Sequence, residues 1–194
     1  MTPQGDDWFE EDDIPEAPPD DRVTPSLLAA LGRMFMTSPE PKGLLGKIMD
    51  ITRRTDQGRA GRPHAAVGVA ASTWNRWVLA ARGFDGGSRP NAASELKLTV
   101  TVRSTRHKDP SYERRSKLRI KNTIIWWNGY LNATPKRSTT LDIGPKDGDP
   151  FKAARDAWFA GHDQLAGELF LQALEDEYGV PIDLEDVGGL ELWE

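Results

Sequence analysis

The side chains best suited to chemistry stand close together between Ser72 and Arg76. Ser72, Thr73, Asn75 and Arg76 alternate with two tryptophans, Trp74 and Trp77. Asn and Arg can form paired hydrogen bonds with the major-groove edges of adenine and guanine, and Ser and Thr can touch bases or phosphates. Residues three apart share a helix face, so Trp74 and Trp77 would face a core while the four polar side chains face outward. This arrangement suits a helix that reads DNA.

Such a helix must be held by a short preceding helix, a tight turn with a residue in the left-handed region, and an apolar residue tucked under the turn. Pro63 suits the first turn of that preceding helix, and Gly68 and Val69 supply the other two needs. The expected helix-turn-helix spans about Arg62 to Arg82. Arg62, Arg82 and Arg89 flank it as candidate phosphate contacts. Two positions depart from the common pattern. His64 stands where a small residue is usual, and Ala70 where Ser or Thr would cap the second helix, although Ser72 could cap a later start. The competing reading is an ordinary helical hairpin with a tryptophan-rich core.

The charge distribution favours the DNA-reading alternative. The net charge of −5 hides a segregated chain. Residues 1–21 carry nine acids and no Lys or Arg, residues 22–139 carry 22 basic and seven acidic residues, and residues 140–194 carry three basic and 14 acidic ones. The middle is therefore at +15 and the C-terminal part at −11. A basic middle concentrates a polyanion and gains from counterion release.

Enzyme chemistry finds little support, and no enzyme activity is expected. His64, His107 and His162 have no metal-site spacing. The acids of the basic middle are scattered, and only Asp109 and Glu113 lie within four residues, amid Lys108, Arg114 and Arg115 as ion-pair partners. Gly83 to Gly87 is too short for a phosphate-cradling loop and follows a helix. The absence of cysteine rules out disulfides and thiolate zinc sites and fits a reducing cytoplasm. No secretory pattern opens the chain and no apolar run is long enough for a bilayer, so no membrane association is expected.

The expected fold is α+β and mostly helical. A disordered acidic tail (1–24) precedes a basic helical DNA-binding domain (25–122) and a C-terminal domain (123–194) made of a small hairpin and two helices. The tail holds four prolines and nine acids, with Trp8, Phe9 and Ile14 as its apolar exceptions. Helices are expected from Leu27 to Met36 and from Leu44 to Arg54, the latter with Leu44, Leu45, Ile48, Met49 and Ile51 at helical spacing. Asn91 can cap another helix. The alternating stretch Leu98–Val102 within it also allows a strand, and the helix is preferred. Tyr112 to Lys121 reads as helix. Thr123 to Leu131 and Ser138 to Ile143 read as strands joined by a turn at 132–137, pairing as a hairpin, with one of Trp126 and Trp127 in the core. After a linker at 144–148, one helix carries Phe151, Ala154, Ala157 and Trp158 on a single face. A longer helix runs to Tyr178 with Leu165, Leu169, Phe170, Ala173 and Leu174, stopped by Gly179 and Pro181. Gly189 to Glu194 could form a short terminal strand.

In the order of these features the chain resembles the telomere terminal proteins of actinobacterial (Streptomyces-type) linear chromosomes and plasmids, from about Leu44 to the C-terminus. The similarity rests on an Ala-rich helix leading into Gly68-Val69, Thr73 with Arg76-Trp77, the basic segment Arg114-Arg115-Ser116-Lys117, the Thr-rich strand Thr139-Thr140-Leu141, and an acidic amphipathic helix near the end. The resemblance implies binding to telomeric DNA, with Arg114, Arg115 and Lys117 joining the DNA contacts. It also implies a protein primer, in which a side-chain hydroxyl accepts the first nucleotide and becomes linked to the 5′ end. A hydroxyl on a turn among basic residues could reach a polymerase's active site. Thr134, beside Pro135, Lys136 and Arg137, fits best, with Ser138, Thr139, Thr140 and Tyr112 as further candidates. No cofactor of its own is implied, because Mg²⁺ would belong to the polymerase. The partners implied are DNA, a DNA polymerase, a telomere-associated protein and a possible second copy of the chain, in a cytoplasmic, nucleoid-associated setting. The alternative is a non-covalent helix-turn-helix regulator or plasmid replication initiator.

Overall fold

The computed structural model of the chain describes residues 21–56, 61–108, 117–133, 138–143 and 149–193. Most of the expected acidic tail, the 144–148 linker, and Tyr112, Arg114, Arg115 and Thr134 lie outside these residues. The architecture is α+β. The helices are α1 (Pro25–Phe35), α2 (Gly43–Asp56), α3 (Pro63–Val67), α4 (Ala71–Ala81), α5 (Ala92–Ser104), α6 (Lys152–Phe159) and α7 (Asp163–Tyr178). The strands are β1 (Lys117–Lys121), β2 (Ile124–Trp127), β3 (Tyr130–Ala133), β4 (Thr139–Asp142), β5 (Ile182–Glu185) and β6 (Gly189–Trp193).

The helices follow local signals. Thr24 caps α1 by accepting a hydrogen bond from the Leu27 amide, Pro25 occupies its first turn, and Leu27, Ala30, Leu31, Met34 and Phe35 form its buried stripe. The Asn91 side chain caps α5 by accepting from the Ser94 amide at 2.9 Å, so Leu98–Val102 is helical despite its alternation. Gly179, at φ 69°, ends α7. The expected tail boundary at 24 falls inside the fold. Val23 is buried, and Arg22 bonds the carboxylates of Asp183 and Glu175.

The strands depart from expectation in three places. Lys117–Lys121 is a strand and not the end of a helix, because Leu118 and Ile120 point into the core while Arg119 points out. The single strand expected over Thr123–Leu131 is two strands, folded at Asn128-Gly129. Both turn residues have positive φ, 53° and 77°, as a two-residue hairpin turn requires. The hairpin expected between the 123–131 and 138–143 segments does not form. Instead β4 pairs with β1 and β2 pairs with β3, because β1 offers β4 the matching apolar positions Leu118 and Leu141. All pairings are antiparallel, giving one sheet of order β4-β1-β6 and another of order β3-β2-β5. The two sheets are halves of one bent ribbon. β1–β2 runs against β5–β6 through both, and the bend falls at Asn122 and Asp186, each in the left-handed region.

Two apolar cores result. The first gathers α1, both sheets, α6 and α7 around Leu31, Phe35, Ile120, Phe151, Trp158 and Phe170. The second gathers α2 to α5 around Ile48, Ile51, Val67, Trp74, Trp77 and Leu98. The division expected at 122/123 is therefore not the division of the cores, since α1 and β1 pack with the C-terminal elements. Trp126 is buried, as are Ile124 and Ile125, and Trp127 is half-buried against the first core and Tyr178, so burial does not alternate along β2. No described helix is long and apolar enough to cross a membrane.

Arg103, at the end of α5, joins the cores. It is 3% exposed. Its guanidinium grips both oxygens of Asp163 at 2.5 and 3.0 Å, Glu40 at 2.9 Å and the Trp158 carbonyl at 2.7 Å, and lies 4.0 Å from the centre of the Trp158 ring. Burial lowers its pKa, but the hydrogen bonds it donates to Asp163 and Glu40 outweigh that and hold it above the ordinary arginine value. Removing the guanidinium breaks the pairs with Asp163 and Glu40, whose side chains are 41% and 21% exposed and regain water, and uncovers the Trp158 ring. Arg103→Ala should cost roughly 1.5–3 kcal/mol in urea denaturation. Arg103→Lys should recover only a minor part, since an ammonium cannot make the fork or stack on the indole.

Candidate nucleic-acid interface

The candidate interface comprises α3, α4 and the chain around them. Pro63 opens α3, and Gly68 ends it at φ 71°, ψ 41°, with its amide bonded to Ala65 and His64 carbonyls. The Val69 amide also bonds the His64 carbonyl, at 2.9 Å, and Val69 is half-buried against the second core. The turn is thus 68–70, and α4 begins at Ala71. Ala70 provides no side-chain cap, and Ser72 sits inside the first turn and does not cap a later start. Trp74 and Trp77 are buried with ring centres 6.4 Å apart, which fixes the rotation of α4 about its axis.

That rotation exposes Ser72, Asn75, Arg76 and Arg82 and leaves Thr73 half-buried at the margin. Arg62 and Arg89 are exposed on either side in sequence. Among the described residues, the side chains of Arg62, Arg76, Arg82 and Arg89 enter no hydrogen bond or ion pair. Other cations of the basic middle are committed to structure: Arg106 to Asp50 at 2.6 Å, Arg54 to the same carboxylate, and Lys47 to Glu40. Lys117 is not brought to α4. It stands on β1, in the sheet of the first core, opposite Asp142.

The candidate priming hydroxyls that are described lie on or beside β4, the edge of its sheet. Ser138 and Thr140 are exposed and Thr139 is half-buried. Thr140 is directly across from Arg119 of β1, on the outward side. Thr134 and Tyr112 fall outside the described residues. Among the described residues, no group of three or more His, Asp or Glu gathers in metal-binding proximity.

Two features beside α4 escaped the sequence. Leu45 and Met49, expected on the buried stripe of α2, are 40% and 61% exposed. With Ile48, Trp74 and Val78 they line a groove of about 610 Å³ between α2 and α4, rimmed by Arg53 and Arg82. Their helical spacing gave no warning, because Leu44, Ile48 and Ile51 already complete the inward stripe. The second feature is Phe84, exposed on the loop after α4. Likewise Leu165 of α7, expected on a buried stripe, is exposed.

A residue at position 68 must accept the left-handed conformation, and a Cβ there would meet nothing within 4 Å. Gly68→Ala should therefore cost about 1–2 kcal/mol through backbone strain alone, read as a shift in the denaturation midpoint at unchanged m-value. Comparison with protein-family models, with curated proteins and with solved structures finds no match to this chain.

Proposed function

We propose that this protein binds duplex DNA by laying α4 in the major groove, as the second helix of a helix-turn-helix. The observation that carries the reading is the outward face of α4, where Ser72, Asn75, Arg76 and Arg82 stand exposed while the cations that stabilise the fold are paired elsewhere. Asn75 and Arg76 have the donors and acceptors to read adenine and guanine edges. Arg62, Arg82 and Arg89 hold phosphates and set the register. The first-turn amides of α4, without a side-chain cap, suit a further phosphate.

The resemblance to telomere terminal proteins extends the reading. The DNA is the end of a linear replicon, and the protein is the primer for its completion. A hydroxyl attacks the α-phosphorus of a deoxynucleoside triphosphate held by a partner polymerase's Mg²⁺, loses its proton, and expels pyrophosphate. Thr134 remains the first candidate, with Ser138, Thr139, Thr140 and Tyr112 behind it. Thr140 has support from its exposure opposite Arg119 at a sheet edge. The acidic helix α7, with Leu165 outward, suits contact with a replication partner or a second copy. The setting is the nucleoid.

Arg76→Ala should weaken binding to the preferred duplex by about five- to 150-fold, corresponding to the roughly 1–3 kcal/mol of a bidentate base contact. The loss should shrink on unrelated sequence. Arg82→Ala should weaken both duplexes equally and lower the salt slope by about one. Unchanged binding in both variants would reject the DNA reading. For priming, purified protein, replicon-end DNA, labelled dNTP, Mg²⁺ and an extract supplying polymerase should leave a label that survives denaturation and is lost in Thr134→Ala or Thr140→Ala. DNA binding without that label would favour a non-covalent regulator or replication initiator.

A further inference from the structure

The loop between α4 and α5 carries an aromatic side chain with no place in either core. Phe84 is 60% exposed. The loop is nevertheless firmly tied to α4. Gly83 adopts φ 75°, its amide bonds the Ala80 carbonyl at 3.1 Å, and the Phe84 amide bonds the Leu79 carbonyl at 3.0 Å, the paired bonds of a Schellman cap. In such a cap the side chain at the Phe84 position ordinarily closes against the residue at the Leu79 position. Here Leu79 is itself 37% exposed, so the two leave an open apolar strip at the end of the outward face of α4.

The return of the loop is held as tightly. The Ser88 amide bonds the Arg76 carbonyl at 3.2 Å, and Gly87 lies so close to α4 that a Cβ there would meet the Ala80 nitrogen at 2.3 Å. Arg76 and Ala80 are one turn apart on the same flank, so this contact sets the loop beside Arg76. Pro90 is buried, and Asn91 caps α5, fixing the far end. Exposed Arg82 and Arg89 bracket Phe84 and outweigh the single charge of Asp85.

We propose that Phe84 is a stacking finger, taking the face of a nucleobase that has left the helical stack next to the duplex held by α4. This rests on the DNA-binding reading and adds a preference for DNA with an unpaired or kinked position. An aromatic ring stacks on any base, so the preference is for structure and not for sequence. Arg82 and Arg89 hold the phosphates on either side of the displaced nucleotide. The base can come from a single-stranded end or from a deformable step inside a duplex.

The test compares three labelled DNAs sharing one duplex sequence: blunt, with a short 3′ overhang, and with a central mismatch, the last two probed also with 2-aminopurine at the unpaired position. Wild-type protein should bind at least one of the unpaired forms more tightly than the blunt form, and its binding should change 2-aminopurine fluorescence. Phe84→Ala should lose about ten-fold on that form and under two-fold on the blunt duplex, and Phe84→Tyr should restore both affinity and signal. An effect on the overhang alone assigns the base to a free end, and an effect on the mismatch alone assigns it to a kink. Equal affinities of wild type and Phe84→Ala for all three DNAs, while Arg76→Ala loses binding, would overturn the finger and leave the DNA reading standing. If Arg76→Ala and Arg82→Ala also bind normally, both fall. Phe84 lies outside both cores, so the Phe84→Ala thermal midpoint should match wild type.

Discussion

The fold turns on the buried guanidinium of Arg103. Two apolar cores built from different stretches of chain meet at this side chain and at the backbone bridge between Met36 and His107. Arg103 reaches from the end of α5, in the second core, to Asp163 at the start of α7 and the backbone and ring of Trp158 at the end of α6, in the first. Its third partner, Glu40, belongs to the segment between α1 and α2 and also binds Lys47. A guanidinium suits this place because its donors lie in one plane and its face is weakly hydrated, so it satisfies three acceptors and still packs on an indole. Arg106 repeats the device one turn on, where it holds Asp50 and Ser38 while the chain after it bridges back to Met36.

This junction has a consequence for α4. The orientation of α4 within the second core is set by Trp74 and Trp77, with α2 and α3 beside it; those two helices pack on α5, which is tied to the first core. That packing fixes which face of α4 points outward, the condition on which the proposed base reading rests. The same partition explains why the +15 of the middle of the chain is not a uniform patch. Arg103 and Arg106 are paired inside the fold and Arg54 pairs with Asp50 at its margin, whereas Arg62, Arg76, Arg82 and Arg89 stand exposed beside α3 and α4.

The bent ribbon places the C-terminal elements. β1–β2 and β5–β6 run antiparallel through both sheets, and α1, α6 and α7 close over them. This leaves β4 as an edge, with Thr140 outward across from Arg119. Ser138 and Thr140 stand exposed at this edge, whereas the hydroxyl of half-buried Thr101 in α5 donates to the Lys97 carbonyl.

What the sequence determined by itself was local. Thr24-Pro25, Asn91 and Gly179 bound helices through caps and fixed dihedrals, Gly68-Val69 shaped the turn before α4, and the spacing of Trp74 and Trp77 decided which side of α4 faces water. Asn128-Gly129 carried an equally clear hairpin signal that a run of β-branched and aromatic residues obscured. The tertiary structure decided what depends on distant partners. Lys117–Lys121 is a strand because β4 and β6 flank it, and β4 left its neighbour in sequence because β1 matched its apolar positions. Arg103 and Arg106 are interior because Asp163 and Asp50 meet them from 60 and 56 residues away. A charged side chain looks solvated in sequence, and only the acceptors that the fold assembles around it offset the cost of its burial.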